Sequence, residues 1–207
     1  SERLGFTKPR EVMQVERANE ELRTSIYNFI HRMLGDYARG TIVEAICKEI
    51  WTAKWHNPID TFPFYSSEFY PKLYRRILED EWYGCYDLIE FVYNELEDCG
   101  MLDPEPSRFG YSGYGRNESD YRQEFDDALN AILEEEGAGY RFLNGQITPI
   151  TNELEVSSIE QSLSPQNNLA GASAHIDKAL MLLSKKPEPD YLNSVKESIS
   201  AAESAAK

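Results

Sequence analysis

Asn193, Lys196 and Glu197 stand at i, i+3 and i+4 near the end of this 207-residue chain, which puts a carboxamide, an ammonium and a carboxylate on one helix face. Such a set could position a phosphate or polarise a ribose hydroxyl in a cleft between helices. Ordinary surface polarity is the plainer reading of the same spacing. A second set, Tyr70, Lys72, Arg75 and Arg76, lies in an aromatic-dense stretch with Phe62, Phe64, Tyr65, Phe69 and Tyr74. Rings beside arginines can hold single-stranded nucleic acid or another ligand, because a base stacks on a flat ring and needs a cationic surround. The same density also suits an irregular core, so residues 62–93 read either as core or as binding groove, and the segment that follows is strongly acidic.

Other chemistries lack their motifs. His31, His56 and His175 include no pair three or four residues apart and none at zinc-finger spacing from a cysteine, so no metal site is expected. The glycines of 109–116 have no Gly-Lys-Ser/Thr end and no preceding strand, which leaves a flexible loop rather than a phosphate cradle. Neighbouring carboxylates at 79–81, 126–127 and 134–136 point about 100° apart on a helix and do not converge on one atom. No Gly-x-Ser-x-Gly elbow is present. No cofactor is implied. Cys47, Cys85 and Cys99 are odd in number and form no CxxC, the usage of reduced thiols in a cytoplasm.

The elements that must position these residues read as mainly α. Hydrophobic residues at 41% and aromatics at 12% suffice for a core and rule out wholesale disorder. No uncharged run approaches the roughly 20 residues of a spanning helix, and the start has no signal-peptide pattern, so no membrane contact is expected. Helical spacing covers 17–34 with Gly35 as a stop, 41–56 ended by Asn57-Pro58, 71–79, 86–99 and 121–136. Residues 103–120 read as a loop. Asn144-Gly145 between extended-type flanks predicts a β-hairpin over 140–150, with Pro149 on an edge. Asn152 and Glu155 resemble a capping pair that opens a short helix to Leu163. Two helices then carry narrow apolar seams, Leu169, Ala172, Ile176, Ala179 and Leu183, and Leu192, Val195, Ile199 and Ala202, the pattern of an antiparallel hairpin from a four-helix-type bundle. Charge is uneven: 36 acidic against 21 basic residues give −15, and residues 79–136 hold 18 acidic and 3 basic, which is the whole imbalance. That segment is either a solvated face or a docking surface for a basic partner.

Three stretches resemble bacterial abortive-infection (phage-defence) proteins. Gly5-Phe6-Thr7-Lys8-Pro9-Arg10-Glu11-Val12, followed by Glu20-Glu21-Leu22-Arg23, resembles the start of an AbiJ-type N-terminal domain. Residues 140–151 resemble the hairpin that closes it, and 189–203 resemble the start of a HEPN-like helical domain. The resemblance implies a toxin-like effector, often an RNA-cleaving HEPN dimer that needs no metal, under an N-terminal sensing domain. HEPN nucleases use an Arg followed a turn or two later by a His. No histidine here has an arginine so placed, so no catalytic residue is expected within the chain, and Asn193, Lys196 and Glu197 match only a supporting polar face.

These readings combine into one expectation. Residues 1–163 form a regulatory or sensing domain, and 164–207 form the first two helices of a HEPN-like domain that continues past Lys207, just as the missing initiator Met suggests a trimmed start. Expected partners are a second copy through the C-terminal helices, a protein or phage-derived trigger, and RNA as the substrate of the full-length protein. The alternative is a non-enzymatic interaction module that uses the acidic surface 79–136 and the helical hairpin.

Overall fold

The structure is a computed structural model and describes residues 14–36, 40–63, 66–102, 121–149 and 170–205. Residues 1–13, the expected loop at 103–120 and the expected short helix to Leu163 lie outside the described residues. The chain forms two compact units, residues 20–132, and residues 1–19 together with 133–207. Among the described residues the fold is mainly helical with a single two-stranded hairpin, as the spacing predicts.

In the unit 20–132, helix α1 (Glu20–Asp36) buries Leu22, Ile26, Phe29, Ile30, Met33 and Leu34 on the anticipated stripe and runs one residue past Gly35. Helix α2 (Thr41–Glu49) follows Gly40, whose φ of +55° is open to glycine without a Cβ penalty. It continues into a π-helical turn (Ile50–Lys54), where the Trp55 N–H reaches Ile50 O at 3.0 Å. Asn57-Pro58 then closes the helix. Helix α3 (Ser66–Glu79) begins earlier than the expected Pro71. The proline is exposed and removes only one rung of the ladder, while Phe69, Leu73 and Ile77 carry a buried stripe straight through it. Helix α4 (Gly84–Asp98) closes at Gly100, φ +66°. Helix α5 (Tyr121–Glu135) buries Phe125, Leu129 and Leu133. Phe125 meets Phe29 edge-on at 4.8 Å and Tyr93 at 5.2 Å, which ties α1, α4 and α5 together. Arg23, only 9% exposed, donates from Nη1 to Ile77 O at 2.5 Å and Asp80 O at 2.9 Å.

In the other unit, Gln14 is stitched to the turn after α5. Its N–H donates to Gly137 O at 2.8 Å, its carbonyl accepts from the Gly139 N–H at 3.0 Å, and its side chain donates to Glu136 O at 2.8 Å. Strands β1 (Tyr140–Leu143) and β2 (Gln146–Pro149) pair antiparallel with Phe142 opposite Ile147, both fully buried. Asn144 and Gly145 adopt φ of +48° and +79°, the left-handed pair that a two-residue hairpin turn requires. Helix α6 (Ala170–Leu183) packs on β2 and against helix α7 (Tyr191–Ala205). Ser184 donates to Gln146 Oε1 and Asn144 to Asp177 Oδ1, each at 2.9 Å, which fastens α6 to the β-hairpin.

The seam of α7 does not face α6. Leu192, Val195 and Ile199 are 70%, 58% and 55% exposed, whereas Ser194 and Ala201 are buried. Small residues let the two backbones approach, and the Ser194 hydroxyl adds a bond to Ala179 O at 2.9 Å.

Because Arg23 supplies the donors for two carbonyls at the end of α3, Arg23→Ala is expected to cost about 3 kcal/mol of the unfolding free energy. Urea melts followed by circular dichroism test this; a change below about 0.5 kcal/mol, the level of an ordinary surface substitution, would show that the clamp contributes little.

Candidate functional site

Helix α3 presents different chemistry on its different sides, because successive residues step by about 100°. With Phe69, Leu73 and Ile77 toward the core, Tyr70 and Tyr74 lie on one flank, Lys72 and Arg76 on the other, and Arg75 outward. The Tyr70 ring stands 4.2 Å from His31, and Tyr74 stands 4.9 Å from Tyr27. Lys72 Nζ lies 6.0 Å above the Trp51 ring and Arg76 Cζ 6.0 Å above the Trp55 ring. The four residues grouped by the sequence therefore divide, and only Lys72 and Arg76 share a surface.

That surface is a set of three rings under cations, backed by a buried fourth. Trp51 stands edge-on to Trp55 at 6.1 Å and to Phe62 at 6.2 Å, and Trp55 stacks on buried Phe69 at 6.1 Å. The Trp51 indole N–H is shared between Pro58 O at 3.1 Å and Thr61 Oγ1 at 3.2 Å. Lys48 Nζ lies 5.8 Å above Phe62 and also pairs with Glu44 at 2.6 Å. Both tryptophans belong to the π-helical turn or adjoin it, and His56 follows at φ +55°, an uncommon conformation for a residue with a Cβ.

Burial removes two of this unit's thiols from nucleophilic chemistry. The Cys47 and Cys85 thiols are pushed up to about 12, mainly by burial, so neither is a thiolate at neutral pH. Burial also pushes the Tyr70 phenol up to about 12, with Cys47 and Tyr27 adding to it, so this hydroxyl stays protonated.

The C-terminal polar face resolves into two structural contacts. Asp190 caps α7, accepting the Asn193 N–H at 3.2 Å and the Asn193 carboxamide at 2.9 Å. Lys196 Nζ reaches Asn193 Oδ1 at 3.4 Å. Glu197 instead faces α6, with Oε1 at 2.5 Å from Lys178 Nζ and Oε2 at 2.7 Å from His175 Nδ1. A carboxylate on Nδ1 orients an imidazole and leaves Nε2 as the acid–base position. Sequence spacing misses this group because an i, i+3, i+4 search stays within one helix. The available signal is that His175 and Glu197 lie about equally far from Pro187, so an antiparallel hairpin brings them level. Among the described residues no three His, Cys, Asp or Glu side chains are grouped to hold a metal ion, and no helix is long and apolar enough to cross a membrane.

Lys178 first, then His175, hold the Glu197 carboxyl below its ordinary value of 4.5, and Asn193 holds Asp190 below 3.8. A carboxyl with a depressed folded value stabilises the fold above its unfolded value and loses that contribution as the pH falls through the folded one. Stability of the C-terminal hairpin should therefore decline on acidification below 4.5. Glu197→Gln should lower stability at neutral pH and flatten that decline in acid melts; a variant as acid-sensitive as the parent would rule the clasp out as the cause.

No curated protein and no solved structure matches the chain. A family model, AbiJ N-terminal domain 4, matches residues 1–165 and so takes in the Arg23 clamp, the ring surface and the closing β-hairpin. The chain belongs to the AbiJ N-terminal domain family.

Proposed function

We propose that this chain is the regulatory and dimerising portion of a bacterial anti-phage effector of the abortive-infection type, whose full-length form is a HEPN-type RNA endonuclease. Family membership over 1–165 supports the regulatory part, with α6 and α7 as the opening helices of the nuclease domain. The outward stripe of α7 carries the dimerising part. Leu192, Val195 and Ile199 make an exposed apolar face of the kind that marks an interaction surface. A second copy of α7, packed antiparallel about a two-fold axis near residues 195–196, covers like with like, with Leu192 of each copy against Ile199 of the other and the two Val195 side chains together. His175 and Glu197 stay on the α6 side of the hairpin, where an oriented imidazole can assist acid–base chemistry without supplying the phosphate-binding arginine.

The acidic α5 favours a second reading. Glu124, Asp127, Glu134 and Glu135 are exposed opposite its buried stripe, a face suited to a basic protein partner. Capture of such a partner would weaken steeply with added salt, whereas dimerisation through an apolar stripe would not.

Sedimentation of the purified chain should show a dimer. Leu192→Glu with Ile199→Glu should return it to monomer by removing about 3 kcal/mol or more of apolar burial while leaving helicity intact. A monomer at every concentration reached would reject the interface. The chain alone should leave RNA intact while the product of the complete gene cleaves it. Cleavage by the chain alone that is lost in Glu197→Ala would instead place the active site within these residues.

A further inference from the structure

We propose that the flank of α3 with Lys72 and Arg76 over Trp51 and Trp55 binds a nucleobase carrying a phosphate, presented by a free nucleotide or by an unpaired strand. The inference concerns residues 20–132 alone and does not depend on the nuclease reading.

Four observations converge on it. Over residues 48–76 five lysines and arginines stand against three carboxylates, a cationic island by sequence in a chain of net charge −15, with Lys48, Lys54 and Arg76 paired to Glu44, Asp87 and Asp80 at its border. The rings are fixed before any ligand arrives: Trp51 is pinned through its indole N–H by Pro58 and Thr61, and Trp55 rests on buried Phe69. Among the described residues the exposed side chains of Lys72 and Arg76 lie over Trp51 and Trp55, and Lys72 has no carboxylate within ion-pair distance. Finally, the backbone beneath them departs from regular helix twice, in the π turn Ile50–Lys54 and at His56, φ +55°, as backbones do where a site demands it.

Ligand chemistry follows from what already occupies the ring faces. Aromatic surfaces that carry their own cations repel a cationic guest and suit a flat, anionic one. A base that slides onto Trp51 displaces the Lys72 ammonium by a few ångströms, to where the phosphate of the same nucleotide meets it. Arg76 stays near Trp55, held at 3.6 Å by Asp80, and offers its guanidinium to the next phosphate or base.

The test is quenching of tryptophan fluorescence by uridine and adenosine monophosphates and, separately, by short oligouridylate, over a range of salt. We expect saturable quenching. Lys72→Glu with Arg76→Glu, both on exposed side chains, should weaken binding at least tenfold (about the loss expected for one stacked base or two phosphate contacts) and reduce its salt dependence, with an unchanged dichroism melt. Trp51→Leu should weaken it by a similar factor but leave the salt dependence as it was, and Trp51→Phe should recover part of the loss. Oligouridylate far tighter than the monophosphates identifies an unpaired strand as the ligand, and equal affinities identify a free nucleotide; either supports the site. Absence of quenching by all probes, or binding that survives the charge-reversal variant, overturns it.

Discussion

Arg23 reaches from α1 to the C-terminal end of α3 and donates to the carbonyls of Ile77 and Asp80 there. The end of a helix gathers the partial negative charge of its unpaired carbonyls, so a nearly buried guanidinium is well matched to it. The clamp settles how α3 is rolled. A roll of one residue, about 100°, would carry the buried stripe of Phe69, Leu73 and Ile77 out of the core and send tyrosine or lysine into it. With the roll fixed, the tyrosines must lie beside α1, and Lys72 and Arg76 must lie over the tryptophans. Asp80 serves both sides of this arrangement: its carbonyl accepts from Arg23 while its carboxylate holds Arg76 at 3.6 Å. The core contact and the surface cation therefore share one residue.

In the other unit the equivalent constraint is the Asn144-Gly145 turn. It sets the register that buries Phe142 against Ile147, and Asn144 then uses its carboxamide to hold Asp177 of α6. Ser184, at the far end of α6, bonds Gln146 on the opposite side of the same turn. Two side chains beside one turn thus anchor the middle and the C-terminal end of a 14-residue helix. Any displacement of the hairpin reaches α6, and through Ser194 and Glu197 it reaches α7. The hairpin, which lies within the matched family domain, has a direct mechanical route to the helices that follow it.

What the sequence reveals and what it hides divide along a physical line. The α1 stripe, the Gly40 start of α2, the Gly100 end of α4 and the Asn-Gly hairpin are legible because each depends on local spacing or on one residue's backbone freedom. The early start of α3 is hidden because Pro71 signals a boundary that the stripe beneath it overrides. A π turn leaves no trace in a run such as Ile46, Cys47, Ile50 and Trp51, since apolar residues there satisfy either hydrogen-bond register. Periodicity reveals that α7 owns an apolar stripe but not its direction, because facing is decided by which side packs closest, and Ser194 and Ala201 pack closer than Leu192 and Val195. The candidate sites suffer most. Lys72 and Arg76 are joined by rings that precede them by about twenty residues, and Glu197 by a histidine in the preceding helix.

Electrostatics gives the ring surface a selectivity of its own. The island is bordered by carboxylates, Asp80 beside Arg76 and Asp87 at 3.9 Å from Lys54, and residues 79–136 beyond them carry 18 acidic groups against 3 basic ones. At physiological salt, charges are felt over about 8 Å, roughly the span of one or two nucleotides. A single base with its phosphate fits within the cationic patch and gains from it. Phosphates beyond those that Lys72 and Arg76 meet fall within reach of the carboxylates and are repelled, while a duplex, whose affinity comes from many phosphate contacts and whose bases are already stacked, has nothing to offer Trp51. The acidic surround therefore makes short, unpaired ligands the ones this surface can hold, and it does so by rejection of longer or paired ones rather than by reading sequence.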